Sequence, residues 1–392
     1  MHFPPLALGL LSLAIWLYLA AAHGNFWRLR EFDHDFAQYE LPGKPPSVIA
    51  VVPARNEAAA IAQSLTSLLQ QTYPGEFSVI LVDDHSEDLT AHIARQVAQE
   101  LKAVHQIDIR NAAPLPASWT GKLWALNEGL GRGAALLRPS PAPKYYWFTD
   151  ADITHAPDTL QRLVARAEHD NLDLASLMVL LQAKTLPERA LIPAFLFFFL
   201  KLYPPRWIAD PQARTAGAAG GCILLRSEAL QRIGGLAAIR SEVIDDCALA
   251  RAVKRTGGKI WMGLTRASIS LRAYTAFREI RDMIARTAFT QLRHSPLLLL
   301  GTVLAMFLIY LAPIALLFAP NPAPRILAAS SWLLMSLLYL PTIRFYRLSP
   351  RWAATLPLAA LFYTYATVLS AARHYAGRGA QWKGRSQTHR PH

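Results

Sequence analysis

Two carboxylates one residue apart close an aromatic run, Tyr145-Tyr146-Trp147-Phe148-Thr149-Asp150-Ala151-Asp152. In a strand, side chains at i and i+2 point to the same side, so Asp150 and Asp152 converge as the strand ends. Two carboxylates that close repel unless a cation or basic group lies between them. A hard divalent ion bridging a diphosphate is the natural occupant. A strand-end turn with two solvated acids has the same pattern, and the motif alone does not choose between them.

The elements that would hold such a pair read as a soluble α/β region over 47–272. Ser47-Val48-Ile49-Ala50-Val51-Val52 is a continuous β-branched run ending at Pro53, as in a buried parallel strand. A helical pattern with Ile61, Leu65, Leu68 and Leu69 follows and stops by Tyr73-Pro74-Gly75. A second strand over 77–82 ends at Asp83-Asp84, and a helix is expected from near Ser86. A third strand is expected over 105–109. Strands and helices alternating at this spacing mean a doubly wound, mostly parallel sheet. Such sheets bind ligands beyond their carboxyl strand ends. Three strand ends carry polar residues: 53–57, 83–86 and 150–152. Neither a Gly-x-Gly-x-x-Gly turn nor a P-loop follows the first strand, which argues against dinucleotide enzymes and P-loop NTPases.

The chain of 392 residues is basic, with net charge +13, and 53% hydrophobic. That combination fits an anionic membrane surface. No RNA- or DNA-binding signature is present, so nucleic acid is not an expected partner. Two cysteines, Cys222 and Cys247, make neither a disulfide framework nor a metal-ligand spacing. Apolar runs lie at both ends: 6–22, 297–318, 326–343 and 352–372. The first has about the minimum length to cross a bilayer and reads as an uncleaved anchor within 1–27. Arg28, Arg30 and Lys44 after it predict a cytoplasmic middle region. Arg344, Arg347 and Arg351 place the second C-terminal loop on the same side. Four full spans would then leave the basic tail, 374–392, outside, whereas its own charges argue for inside. Either one apolar run is re-entrant or interfacial, or the charge rule fails here.

In order along the chain, four motifs resemble family 2 glycosyltransferases. They are Val51-Val52-Pro53-Ala54-Arg55-Asn56-Glu57, Val82-Asp83-Asp84-His85-Ser86-Glu87-Asp88-Leu89-Thr90, Gly121-Lys122-Leu123-Trp124-Ala125-Leu126-Asn127-Glu128-Gly129, and Asp150-Ala151-Asp152. With Ser118-Trp119-Thr120 and the terminal apolar runs, the chain is most similar to the hopene-associated glycosyltransferase group. The resemblance implies a GT-A fold over 45–290, transmembrane helices at the N-terminus and over 296–373, and a multi-pass protein of the cytoplasmic (inner) membrane with its catalytic domain facing the cytoplasm.

The resemblance also implies residue roles. Asp84 would accept hydrogen bonds from the uracil of a UDP-sugar. Pro53, Arg55 and Glu57 would line the nucleotide pocket, and Lys122 would offset phosphate charge. Asp150 and Asp152 would hold Mg²⁺ or Mn²⁺ on the diphosphate. Inverting transfer needs a carboxylate to take the acceptor hydroxyl's proton. Ile244-Asp245-Asp246-Cys247 stands where the family supplies it, with Asp246 the first choice and Asp245 the second; an acidic first helical turn is the plainer explanation of both. Thr290-Gln291-Leu292-Arg293-His294-Ser295 keeps only the Arg of the processive Q-x-x-R-W motif, which argues against a polymer synthase. Arg293 would touch the diphosphate or snorkel at the start of a membrane span.

Residues 191–200 are apolar and aromatic, too short to span, with Lys184, Arg189, Lys201 and Arg206 around them. They fit a membrane-contacting interfacial segment over 186–208 or a buried core helix. The interfacial reading brings a lipid acceptor to the site. Transfer of sugar to a lipid, possibly a hopanoid by the group resemblance, stands beside two alternatives: polysaccharide or polyprenyl-phosphate transfer, and a non-catalytic membrane scaffold on the same fold.

Overall fold

In this computed structural model, which describes residues 3–33, 39–136, 144–377, 381–382 and 385–386, Val48–Ala54 (β1) has every side chain buried. A strand covered on both faces needs such a continuous β-branched run. Phe77–Asp83 (β2), Ile107–Asn111 (β3), Tyr145–Thr149 (β4), Ile153–His155 (β5), Leu174–Leu180 (β6), Cys222–Arg226 (β7) and Ile260–Ser270 (β8) complete one sheet. Its order is β3-β2-β1-β4-β7-β6-β8-β5. The β3, β2, β1 and β4 strands are mutually parallel, and β6 runs parallel to β8. The β7 strand enters antiparallel to both β4 and β6, and β5 lies antiparallel to β8. The sheet is therefore mixed, with parallel pairing concentrated in the β3-β2-β1-β4 half.

The chain steps from β1 outward to β2 and β3, then returns to place β4 on the other side of β1. That reversal makes the carboxyl ends of β1 and β4 the expected ligand crevice. Helix Gly121–Leu136 packs across β1 and β2. Gly129 permits the approach, since a Cβ there would lie 2.3 Å from Val51 Cγ1.

Two expected boundaries move. The helix after β2 starts at Thr90 rather than near Ser86. Asp83 first holds Ser86, and Asp88 holds the Thr90 N–H at 3.0 Å, so local side-chain bonds keep the chain in a turn. The third strand is shifted to Ile107–Asn111, paired in register with Val79–Asp83.

The chain divides into two compact units. One holds the sheet, within Glu31–Gln182 and Trp207–Ala273; the other comprises Met1–Arg30, Ala183–Arg206 and Tyr274–Ala380. In this second, helical unit Pro296–Leu316, Pro322–Phe345 and Pro350–Tyr375 are long and apolar enough to cross a membrane. Pro5–Ala21 is a shorter apolar helix. Helix Leu186–Leu202, the aromatic segment, belongs to this unit rather than to the sheet. Phe197 packs on Phe26 and Tyr339, and Phe198 on Tyr310 and Tyr363. The buried Glu188 carboxylate caps it, accepting from the N–H groups of Lys184, Thr185 and Tyr274 at 2.7–2.9 Å. Arg293 and His294, in the same unit, both take left-handed backbone conformations just before Pro296. Of the basic tail, Arg378, Lys383 and Arg390 lie outside the described residues; Gln381–Trp382 pairs antiparallel with Arg385–Ser386.

Candidate active site

The first two strand ends are laced together before they reach any ligand. Arg55, buried, donates from Nη1 to the carbonyls of Asp84 (2.6 Å) and His85 (2.9 Å) and from Nη2 to Glu87 (3.2 Å). The Asn56 N–H donates to Ser86 Oγ, and the Glu57 N–H to Thr90 Oγ1. Asn56 and His85 adopt positive φ, which these residue types tolerate best in tight turns. Arg55 thus shapes the turn directly. Asp84 is fully buried beneath it, and its N–H donates to the Ala54 carbonyl at 2.8 Å.

A cleft opens where β1 and β4 end. Its lining includes Pro53, Lys122, Thr149, Asp150, Gly220, Asp245 and Asp246, with Leu236 and Ile239 on its apolar wall. Lys122 arrives on the first turn of helix Gly121–Leu136, and its Nζ lies 2.8 Å from Asp150 Oδ1 and 3.3 Å from Asp245 Oδ2. Burial alone would lower the ammonium's pKa, but Asp150 and Asp245, with Asp246, outweigh it and raise the pKa. Lys122 is a cation over the whole physiological range.

Asp245 and Asp246 occupy the first turn of helix Asp245–Arg255, where the dipole favours negative charge. Asp246 Oδ2 accepts the Gly220 N–H at 2.9 Å, and its Oδ1 accepts the Cys247 N–H at 2.7 Å. Burial, then the neighbouring Asp245, raises the Asp246 pKa to about 6, against Lys122 and these two amides. The other end of the helix steadies the approach to Gly220: Lys254 Nζ donates to the carbonyls of Trp207, Ile208 and Thr215 at 2.7–2.9 Å.

The cleft thus gathers Pro53, Lys122, Asp150, Asp245 and Asp246 from the sequence candidates. Asp152 follows in the turn after Asp150, with its carbonyl accepting the Leu271 N–H at 2.8 Å, and it does not line the cleft. Glu57 and Arg55 stand on the β1 turn, and Arg293 stands in the helical unit. No group of three or more His, Cys, Asp or Glu able to hold a metal occurs among the described residues. Of the two acids expected to hold a metal, Asp150 lines the cleft, where its Oδ1 is paired with Lys122 at 2.8 Å, and Asp152 does not. Sequence reasoning missed Gly220, whose amide fixes the candidate base. The signal available was the Gly220-Gly221 pair immediately before the apolar run Cys222-Ile223-Leu224-Leu225.

Residues 49–234 match the family described as Glycosyl transferase family 2. The beta-monoglucosyldiacylglycerol synthase of Trichormus variabilis is 33% identical over 128 residues, 32% of this chain and 25% of that protein. The probable glycosyltransferase YdaM of Bacillus subtilis is 25% identical over 126 residues, 32% of this chain and 29% of that protein. The matched region therefore spans between a quarter and a third of these curated relatives. Among solved structures, the mannosyltransferase PcManGT from Pyrobaculum calidifontis, in complex with GDP-Man and Mn²⁺, superposes with a TM-score of 0.55 at 18% identity. That match covers 92% of this chain and 99% of PcManGT, a likeness of fold. Pro53, Lys122, Asp150 and Gly220 of the cleft fall within the stretch that matches Glycosyl transferase family 2, whereas Asp245 and Asp246 follow it.

Proposed function

We propose that this protein moves a sugar from a nucleoside diphosphate sugar, UDP-sugar first, to the hydroxyl of a membrane lipid, with inversion at the sugar carbon. The observation that carries the reading is Asp246: a carboxylate with a pKa raised to about 6, aimed by the Gly220 and Cys247 amides, beside the Lys122–Asp150 ion pair at a strand end. A general base works best with a pKa near the operating pH and a fixed direction.

In this reading Asp246 takes the acceptor hydroxyl's proton as its oxygen attacks the anomeric carbon. The bond from that carbon to the diphosphate oxygen breaks, and the nucleoside diphosphate leaves with the electron pair. Asp245 is the weaker candidate because its carboxylate is engaged with Lys122. Lys122 offsets charge on the departing diphosphate. Asp150 and Asp152 would hold Mg²⁺ or Mn²⁺, which when bound supplies further positive charge to that leaving group. In the same reading Pro53 and Glu57 would line the nucleotide pocket, Arg55 sets its turn, and Asp84 would be the partner of the base.

A lipid acceptor is supported by three helices suited to crossing a membrane and by a relative whose name specifies a glucosylated diacylglycerol. The hopanoid acceptor rests on the group resemblance and is tested with the others, as is the cytoplasmic orientation in the inner membrane. Membranes containing the protein are incubated with a panel of labelled nucleoside diphosphate sugars, and solvent-extractable lipid is counted. Label enters lipid with one donor in the intact protein. Label only in water-soluble product, or in none with every donor, would rule the reading out.

A further inference from the structure

The residues gathered in the cleft do not hold themselves in place. Behind them lies His155, the last residue of β5, at 5% exposure. Its Nε2 is 2.8 Å from Thr149 Oγ1, and its Nδ1 is 2.8 Å from Ser268 Oγ on β8. Its ring also packs against Trp147, 4.6 Å between centroids. Burial pushes the imidazole down to a pKa of about 3, so it is neutral at working pH.

The hydrogen bonds assign its tautomer. Thr149 has one hydroxyl proton, and it goes to the Gly221 carbonyl at 3.0 Å, which can only accept. The imidazole must therefore donate to Thr149 from Nε2. Its Nδ1 is bare and accepts the Ser268 hydroxyl.

A directional chain results: Ser268 O–H to His155 Nδ1, His155 Nε2–H to Thr149 Oγ1, and Thr149 O–H to the Gly221 carbonyl. Both of its outlets reach the site. Thr149 precedes Asp150, and His155 itself ends the strand that follows Asp152, so the ring spans the two ends of the Asp150-Ala151-Asp152 turn. Gly221 follows Gly220, whose N–H holds Asp246 Oδ2. Gly221 packs closely there, since a Cβ added to it would meet Val179 Cγ2 at 3.1 Å.

The geometry points to His155, acting through Thr149, as the positioning residue that fixes the Asp150–Asp152 turn and the Gly220 amide on Asp246 in one register. Two carboxylate groups contributed by distant parts of the chain are then set against each other by one neutral ring. This goes beyond the proposed sugar transfer but uses it for one readout.

The test uses the full chain in membranes or micelles. Thr149→Val keeps shape and removes the hydroxyl; Thr149→Ser keeps the hydroxyl; His155→Phe keeps a ring without nitrogens. With folding checked by circular dichroism, Thr149→Val should lower kcat about tenfold or more, because small misplacements of reacting groups are costly. Thr149→Ser should stay within about twofold of the original protein. Thr149→Val with His155→Phe should lose no more than the worse single variant, as expected of residues acting in one chain. If His155→Phe does not fold, the Thr149 pair decides. A folded Thr149→Val with unchanged kcat, or a Thr149→Ser as impaired as Thr149→Val, overturns the inference. A second measurement needs no turnover: ¹⁵N-histidine spectra, with His155 assigned by the signal lost in His155→Gln. A neutral ring protonated at Nε2 is expected; the Nδ1–H tautomer or an imidazolium at pH 7 overturns the chain. Absent sugar transfer in the original protein would instead sink the proposed function and leave the tautomer result standing.

Discussion

Lys122 Nζ lies 2.8 Å from Asp150 Oδ1, joining the start of one helix to the end of the central strand β4. The same ammonium reaches Asp245 at 3.3 Å. One cation therefore balances acids from two separate parts of the chain. Lys122→Met should leave these partly buried carboxylates facing each other. The loss of a charged hydrogen-bond partner costs roughly 1.5–3 kcal/mol, so nucleoside diphosphate binding should weaken roughly tenfold to a hundredfold. Titration calorimetry with UDP and GDP, each with and without Mn²⁺, measures it; affinity equal to the original protein's would remove Lys122 from the site.

Gly220 leaves room that no other residue can leave. A Cβ there would stand 3.2 Å from Lys122 Nζ and 3.3 Å from Asp246 Oδ2. Its φ is outside the left-handed region, so Gly220→Ala changes space rather than backbone preference. The expected result is a kcat reduced between about tenfold and a hundredfold, with little change in Tm. A large drop in Tm with kcat intact would instead mark Gly220 as a folding residue.

The Asp246 pKa of about 6 makes two pH predictions. Activity in kcat/KM should rise with pH through an apparent pKa near 6 as the base ionises. Stability should move the other way. Between about 4 and 6 the folded protein holds a proton that the unfolded chain has released, so this group's contribution is full at low pH and is lost as pH rises through about 6. Asp246→Asn should flatten that part of the stability curve, read as the difference in denaturation midpoint between the two proteins from pH 4 to 7. A parallel pair of curves contradicts the raised pKa.

Gly129 tests the packing that delivers Lys122. A Cβ at Gly129 would fall 2.3 Å from Val51 Cγ1, far inside contact distance. Gly129→Ala should destabilise the protein by about 1–3 kcal/mol, as overpacking does. Val51→Ala on the same chain should recover much of that loss, and urea denaturation of the single and double variants reads both.

Much of this is legible in the amino-acid sequence. The run Tyr145–Thr149 ending on Asp150, and the β-branched run of β1, give strong local patterns because both strands are buried on both faces. Lys122 was legible through its motif. What could not be read was register between distant segments. Nothing near Cys222 says that β7 runs antiparallel between β4 and β6, yet that placement brings the Gly220 amide to Asp246. The role of His155 is hidden in the sequence for the same reason: its partners, Thr149 and Ser268, are 6 and 113 residues away along the chain. The aromatic helix Leu186–Leu202 was ambiguous because a bilayer interface and a helical bundle select the same side chains; its rings pack on Phe26, Tyr310, Tyr339 and Tyr363. Arg55 carried a family motif, but only its bonds to the Asp84 and His85 carbonyls reveal that it builds the turn.

The central claim is that Asp246 is the base of a sugar transfer. Asp246→Asn keeps the side chain's shape and removes its proton acceptance. Transfer of labelled sugar into lipid should fall by at least a thousandfold, toward the upper end of what general base catalysis contributes, while UDP binding measured by calorimetry stays within about threefold of the original protein, a change of less than about 0.7 kcal/mol. Transfer persisting at a comparable rate in Asp246→Asn, with nucleotide binding intact, would contradict the account.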